Sequence, residues 1–202
     1  SGNHIWDKHE TIEFINKEKR LLRPANLAEG SPGNGYGIYS TKKQQFKVSV
    51  INLMGNVFMR KSEDVFSVAG KIKEKLILKK NVDFLIVDFH GEITSEKMAM
   101  GHFFDGFSTG VYGTHTHVPT ADTRILDQGT AYQTDIGMCG DYNSVIGMNK
   151  ENSLKRFLKD KNALKHFPAD GEATLSGIMI EGDKKTGLAK KITRILKGGT
   201  LN

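Results

Sequence analysis

Along this chain apolar residues recur with two different spacings, and the changes of spacing mark its elements. Ile12, Phe14, Ile15 and Leu22 form a helical stripe behind Asp7 and Glu10, an acidic pair three residues apart that reads as a helix start. A helix is therefore predicted from about Lys8 to Lys19. "RPANLAEGSPGNG", dense in Pro and Gly, is loop. "YGIYS" and "FKVSVINLMG" read as strands, and the polar "TKKQQ" between them predicts a hairpin. "SVAGKIKEKLILK" returns to helical spacing before "VDFLIVDFH", an almost unbroken apolar run of the kind a strand covered on both faces carries. "TSEKMAMGHFFDG" predicts a helix, "STGVYGTHTH" a buried strand ending in histidines, and "GTAYQTDIGMCG" another strand. "SVIGMNKENSLKRFL" holds a helix capped near Asn149, and "ATLSGIMIEGDKKTGLAKKITRIL" two strands about a Gly-Asp turn. Strands alternating with crossover helices, with no internal repeat or linker, predict an α/β sandwich.

Composition narrows the class. The 202 residues suit one domain. With 38% hydrophobic and 26% charged residues, 4 Pro and no low-complexity tract, the chain is expected to fold as a globular protein. No apolar run reaches the roughly 20 residues of a membrane helix, and no signal segment opens the chain. The one cysteine, Cys139, has no internal partner, which fits a reducing compartment. A cytoplasmic protein is expected. The net charge of +6 owes much to a C-terminal group, Lys184, Lys185, Lys190, Lys191, Arg194 and Lys197. Aromatic residues are not interleaved with it, which argues against dedicated nucleic-acid binding.

The candidate chemistry lies where strand-like runs end. Asn3 and His4 stand in "GNH", His90 closes "FLIVDFH", and His115 and His117 stand two apart in "GTHTH". In open α/β sheets ligands gather beyond the carboxyl ends of strands, so these stretches are expected to converge. Imidazole suits Zn, Mn and Fe, and an amide carbonyl serves as an oxygen ligand. Two histidines on one loop can reach different ions of a pair about 3.5–4 Å apart. His9, His102 and His166 lack neighbouring ligand types and read as structural. Glu92, Thr94 and Ser95 serve either the ligands or the start of the following helix. Asp122 and Asp135 read as turn and strand-end residues or as groups that orient histidines.

In this order, Asn-His, a strand-terminal His and Gly-x-His-x-His, the chain resembles the calcineurin-like metallophosphoesterases. "GNHIWDK", "LLRPAN", "INLMG", "VDFHGEITSEK", "GTHTHVPTADTRIL", "GTAYQTDIGMCG" and "SVIGM" resemble the YmdB-type subfamily over nearly the whole chain. That resemblance implies a four-layer α/β/β/α sandwich, of which residues 1–202 would be the C-terminal portion of a single domain. The first two strands of such a domain, with a Gly-Asp ligand motif and a Glu-Asn pair, are expected ahead of "GNH". It also implies a bacterial cytosolic phosphodiesterase acting on 2′,3′-cyclic nucleotides with two divalent ions, Fe, Mn or Zn. Asn3, His90 and His115 would hold one ion and His117 the other, with a bridging hydroxide attacking phosphorus. His4 would contact the phosphate and stabilise or protonate the leaving oxygen. The implied partner is a small phosphodiester, and relatives suggest a homo-oligomer. Two further readings stay open: a phosphomonoesterase of the same superfamily, and a non-catalytic protein whose histidines hold a metal while it binds a nucleotide or partner.

Overall fold

A computed structural model describes residues 1–43 and 45–201; Gln44, in the predicted turn "TKKQQ", and Asn202 lie outside them. The elements in chain order are α1 (Glu10–Lys17), β1 (Tyr36–Ser40), β2 (Lys47–Met54), α2 (Val65–Lys73), β3 (Phe84–His90), α3 (Thr94–Phe103), β4 (Gly110–Thr114), β5 (Arg124–Ile125), β6 (Ala131–Gln133), α4 (Lys150–Phe157), β7 (Leu175–Gly182) and β8 (Ala189–Lys197). Six strands form one sheet in the order β1-β2-β3-β4-β6-β5, and β7 and β8 form a separate antiparallel hairpin. β2, β3, β4 and β6 run parallel, flanked by the antiparallel β1 and β5.

The long crossovers that parallel pairing demands are made by α2 and α3. Leu85, Val87 and Phe89 alternate along β3 toward one face, where they meet Ile51 and Leu53 of β2, Val111 of β4, and Val65, Ala69 and Met100 of the two helices. The opposite face receives the β7–β8 hairpin. Thr109 donates to the Gly187 carbonyl across that contact at 2.6 Å, and a small apolar cavity remains between Ile86, Phe84 and Ile180. Helices, sheet and hairpin thus make a mixed α/β fold built on a parallel-rich sheet.

Local chemistry explains where helices begin. Asp64 accepts from the Ser67 amide at 2.7 Å to start α2, and Asn149 accepts from Asn152 at 2.9 Å to start α4, as expected from the sequence. Helix α1 is shorter than predicted at both ends. Its N-cap is His9, with no side-chain cap bond, because Asp7 turns away to His4. Helix α3 starts behind Ile93 with no side-chain cap either, so Thr94 and Ser95 do not cap it. No helix among the described residues is long and apolar enough to cross a membrane.

Gly113 on β4 marks the tightest approach in the sheet. A Cβ there would overlap the Thr134 carbonyl oxygen and lie 2.9 Å from Lys97 Cδ. Gly113→Ala is expected to destabilise the protein by about 3 kcal/mol, the upper end of overpacking costs. That corresponds to a fall of roughly 6–12 °C in Tm at about 2–4 °C per kcal/mol. A thermal melt within about 2 °C of wild type, roughly the width of a neutral surface change, would contradict this packing.

Candidate metal centre

The register of the sheet brings the predicted residues to one place. His90, the last residue of β3, is paired with Met54 of β2 and Thr114 of β4, so these strands end level. The backbone seals the ends: Gly55 N donates to His90 O at 3.0 Å and Gly91 N to Thr114 O at 3.3 Å. The "GNH" segment folds over them in tight turns, with Ile5 N donating to Gly2 O and Asp7 N to His4 O. Any side chain at Gly2 would collide with the His90 ring, so glycine lets Asn3 reach that ring.

Asn3 Oδ1 lies 2.8 Å from His90 Nε2, and His115 Nδ1 lies 3.1 Å from the same nitrogen. The structure therefore joins Asn3, His90 and His115. His117, two residues on, directs its Nδ1 to the Ile146 carbonyl at 2.8 Å and stands beside this trio without touching it. His4 follows Asn3 directly, and its side chain is 71% exposed. Its Nδ1 is held by Asp7 Oδ2 at 2.6 Å, leaving Nε2 open to solvent. Among the described residues no three His, Cys, Asp or Glu side chains converge on one point; here the third donor is an amide.

The far nitrogen of each clustered histidine faces a group that can accept its proton. Thr114 Oγ1 donates to Asp88 Oδ1 at 3.0 Å, so toward His90 Nδ1 at 2.9 Å it can only accept. Asn52 donates to the other Asp88 oxygen at 3.0 Å, so both partners of this carboxyl are donors even though burial pushes its pKa upward. Glu92 Oε2 lies 3.2 Å from His115 Nε2, where it can accept the ring N–H. The Ile146 carbonyl does the same for His117 Nδ1. In neutral rings protonated on those outer nitrogens, the other nitrogens, His90 Nε2, His115 Nδ1 and His117 Nε2, would present lone pairs to a ligand.

Neutrality follows from the surroundings. Burial first, and then the neighbouring His115, hold the His90 imidazole down at about 3. Burial also lowers His115, although Glu92 opposes it. The Asp7 carboxyl is held below its ordinary range mainly by the hydrogen bond from His4. With the ring protons on the outer nitrogens, the two facing nitrogens 3.1 Å apart and the Asn3 oxygen 2.8 Å from one of them are all acceptors, a set that a cation would satisfy. Their spacing suits an ion with arms of about 2.0–2.2 Å, so the donor set fits a small divalent metal.

The model of the YmdB-like protein family matches residues 1–195. The chain belongs to the YmdB-like family. Over 195 residues this YmdB-like chain is 45% identical to the 2′,3′-cyclic-nucleotide 2′-phosphodiesterase of Bacillus subtilis (strain 168), covering 96% of the chain and 72% of that protein. Its fold matches the crystal structure of a novel phosphatase from Mycoplasma pneumoniae with a TM-score of 0.85 at 38% identity, covering 98% of this chain and 70% of that one. A hypothetical protein from Thermus thermophilus matches with a TM-score of 0.84 at 34% identity, covering 98% and 75%.

Sequence reading of this YmdB-like chain missed Asp88 and Thr114 and took Asp7 for a helix cap. The signal for Asp88 was its place two residues before His90, hence on the same strand face. The signal for Asp7 was the His-x-x-Asp spacing. Replacing Thr114 with Val removes the hydroxyl that separates His90 Nδ1 from the Asp88 carboxylate. The variant is expected to populate both His90 tautomers, read from long-range 1H–15N spectra; a single Nδ1–H tautomer, unchanged from wild type, would contradict this assignment.

Proposed function

We propose that this chain carries the histidine side of a metal-dependent phosphodiesterase site whose substrates are 2′,3′-cyclic nucleotides. The observation that carries the reading is the uniform tautomer control: three histidines at or beside one strand-end cluster each have their far nitrogen tied to an acceptor. A structural histidine needs one satisfied partner; a ligand needs one nitrogen kept bare. The name of the Bacillus subtilis relative supplies the substrate class, and the phosphatase from Mycoplasma pneumoniae is consistent with phosphoester chemistry.

Asn3, His90 and His115 would hold one divalent ion, and His117 Nε2 would serve a second. Divalent ions bound there supply Lewis-acid activation of the attacking oxygen and neutralise charge on the phosphate. The chain's own residues do the rest. Glu92, the Thr114–Asp88 pair and the Ile146 carbonyl hold the rings so that no reorientation is needed when charge develops. His4 Nε2, beside the Asn3 ligand, contacts the phosphate and delivers a proton to the departing ribose oxygen. Asp7 on its Nδ1 fixes the ring's orientation, while Arg60 braces Asp7 at 3.4 Å. Opening the bond to the 2′ oxygen leaves a nucleoside 3′-phosphate. Metal identity, the second ion, a cytoplasmic setting and self-association belong to the same proposal.

The test is hydrolysis of 2′,3′-cyclic AMP by the purified protein supplied with Mn2+, with the product isomer assigned by chromatography. His4→Ala is expected to lower kcat by about 10²–10³ while bound Mn2+ and the melting temperature stay at wild-type values. Wild-type turnover in His4→Ala, or turnover that survives complete metal removal, would contradict the reading. Cleavage of phosphomonoesters in place of the cyclic diester would favour the phosphomonoesterase alternative.

A further inference from the structure

Beneath the His115–His117 turn lies an ion pair that the proposed chemistry does not use. Lys97 of α3 and Asp135, just past β6, are each only 1% exposed, and Lys97 Nζ stands 2.7 Å from Asp135 Oδ2. Burying two charges costs about as much as their attraction returns, and an apolar pair of similar size often serves stability equally well. The surroundings show what else the pair does. The same Asp135 Oδ2 accepts from Thr116 N at 3.1 Å and from Thr116 Oγ1 at 2.8 Å, while Oδ1 accepts from Gly137 N at 2.8 Å. Thr116 is the residue between the two histidines.

Both of those histidines sit in backbone that side-chain-bearing residues avoid, with φ of 104° at His115 and 67° at His117. Such a turn persists only if something outside it holds it. The route of the lysine is itself built in: its Cδ would lie 2.9 Å from a Cβ at position 113, closer than side chains normally approach, so Gly113 keeps the path from α3 to Asp135 open.

We propose that the Lys97–Asp135 pair is a positioning device: its carboxylate grips Thr116 from below and holds His115 and His117 in their left-handed backbone, aimed at the metal site. Lys97 holds the carboxylate in place at 2.7 Å, and Asp135 transmits the hold through two bonds to one residue. This rests on the reading of those histidines as metal ligands.

Two variants of the full chain test it, with Mn2+ alone as the probe. Lys97→Met keeps the stem and removes the charge; Thr116→Val keeps the shape and removes the hydroxyl. Calorimetric titration is expected to show Mn2+ affinity weakened about 10–100-fold in each, with broadened His115 and His117 ring resonances and faster exchange of the Thr116 amide. Affinity within about twofold of wild type in a folded Lys97→Met protein would overturn the proposal. Should Lys97→Met fail to fold, Thr116→Val decides by the same criterion. Should wild-type protein bind no Mn2+, the metal reading fails by itself. The clamp is then judged by the Thr116 amide, whose unchanged protection in the variants would overturn it and whose loss would uphold it.

Discussion

The pairing of His90 with Thr114 across two parallel strands is the constraint on which the site depends. It sets the ends of β3 and β4 level, so the hydroxyl on one strand stands between the carboxylate and the imidazole on the other. A shift of one residue would send His90 to the helix face of the sheet, where Val87 and Phe89 pack. The apolar alternation that builds the core therefore also decides which way His90 points. Stability and chemistry share one register.

Around that pairing the protein leaves little to side-chain freedom. His90 is oriented by Thr114 and Asp88, His115 by Glu92, His117 by the Ile146 carbonyl and His4 by Asp7. Each partner accepts on the far side of its ring, and burial lowers the pKa of both His90 and His115. With the ring protons directed at those partners, the facing nitrogens present lone pairs held close together, an arrangement suited to a cation. Glycines at 2 and 113 are part of the same design, because one clears the His90 ring and the other clears the path of Lys97.

Much of this was legible in the sequence, and for identifiable reasons. The apolar run of β3, the hairpin of β1 and β2, the asparagine cap of α4 and the C-terminal strand pair all depend on neighbours close in sequence. The ligand candidates His90 and His115 were visible because each closes or follows such an element, and Asn3 because it stands in the "GNH" stretch. What escaped was whatever depends on register and distance. Asp88 and Thr114 are 26 residues apart, Lys97 and Asp135 are 38 apart, and only the folded sheet brings either pair together. Asp7 misled because an acidic residue before a helical stripe is a good cap, yet His4 competes for it and wins. The two-residue strand β5 is too short to leave a pattern.

The central claim is that the bare nitrogens of His90 and His115 and the oxygen of Asn3 face one cation. The most direct test is a crystal structure of the protein grown with Mn2+, phased to show the anomalous signal of the metal. The account predicts a peak enclosed by Asn3 Oδ1, His90 Nε2 and His115 Nδ1, with Glu92 and Thr114 still on the outer nitrogens. A metal-free cluster in which a ring proton bridges His90 and His115 at saturating Mn2+, or a peak bound elsewhere, would contradict it.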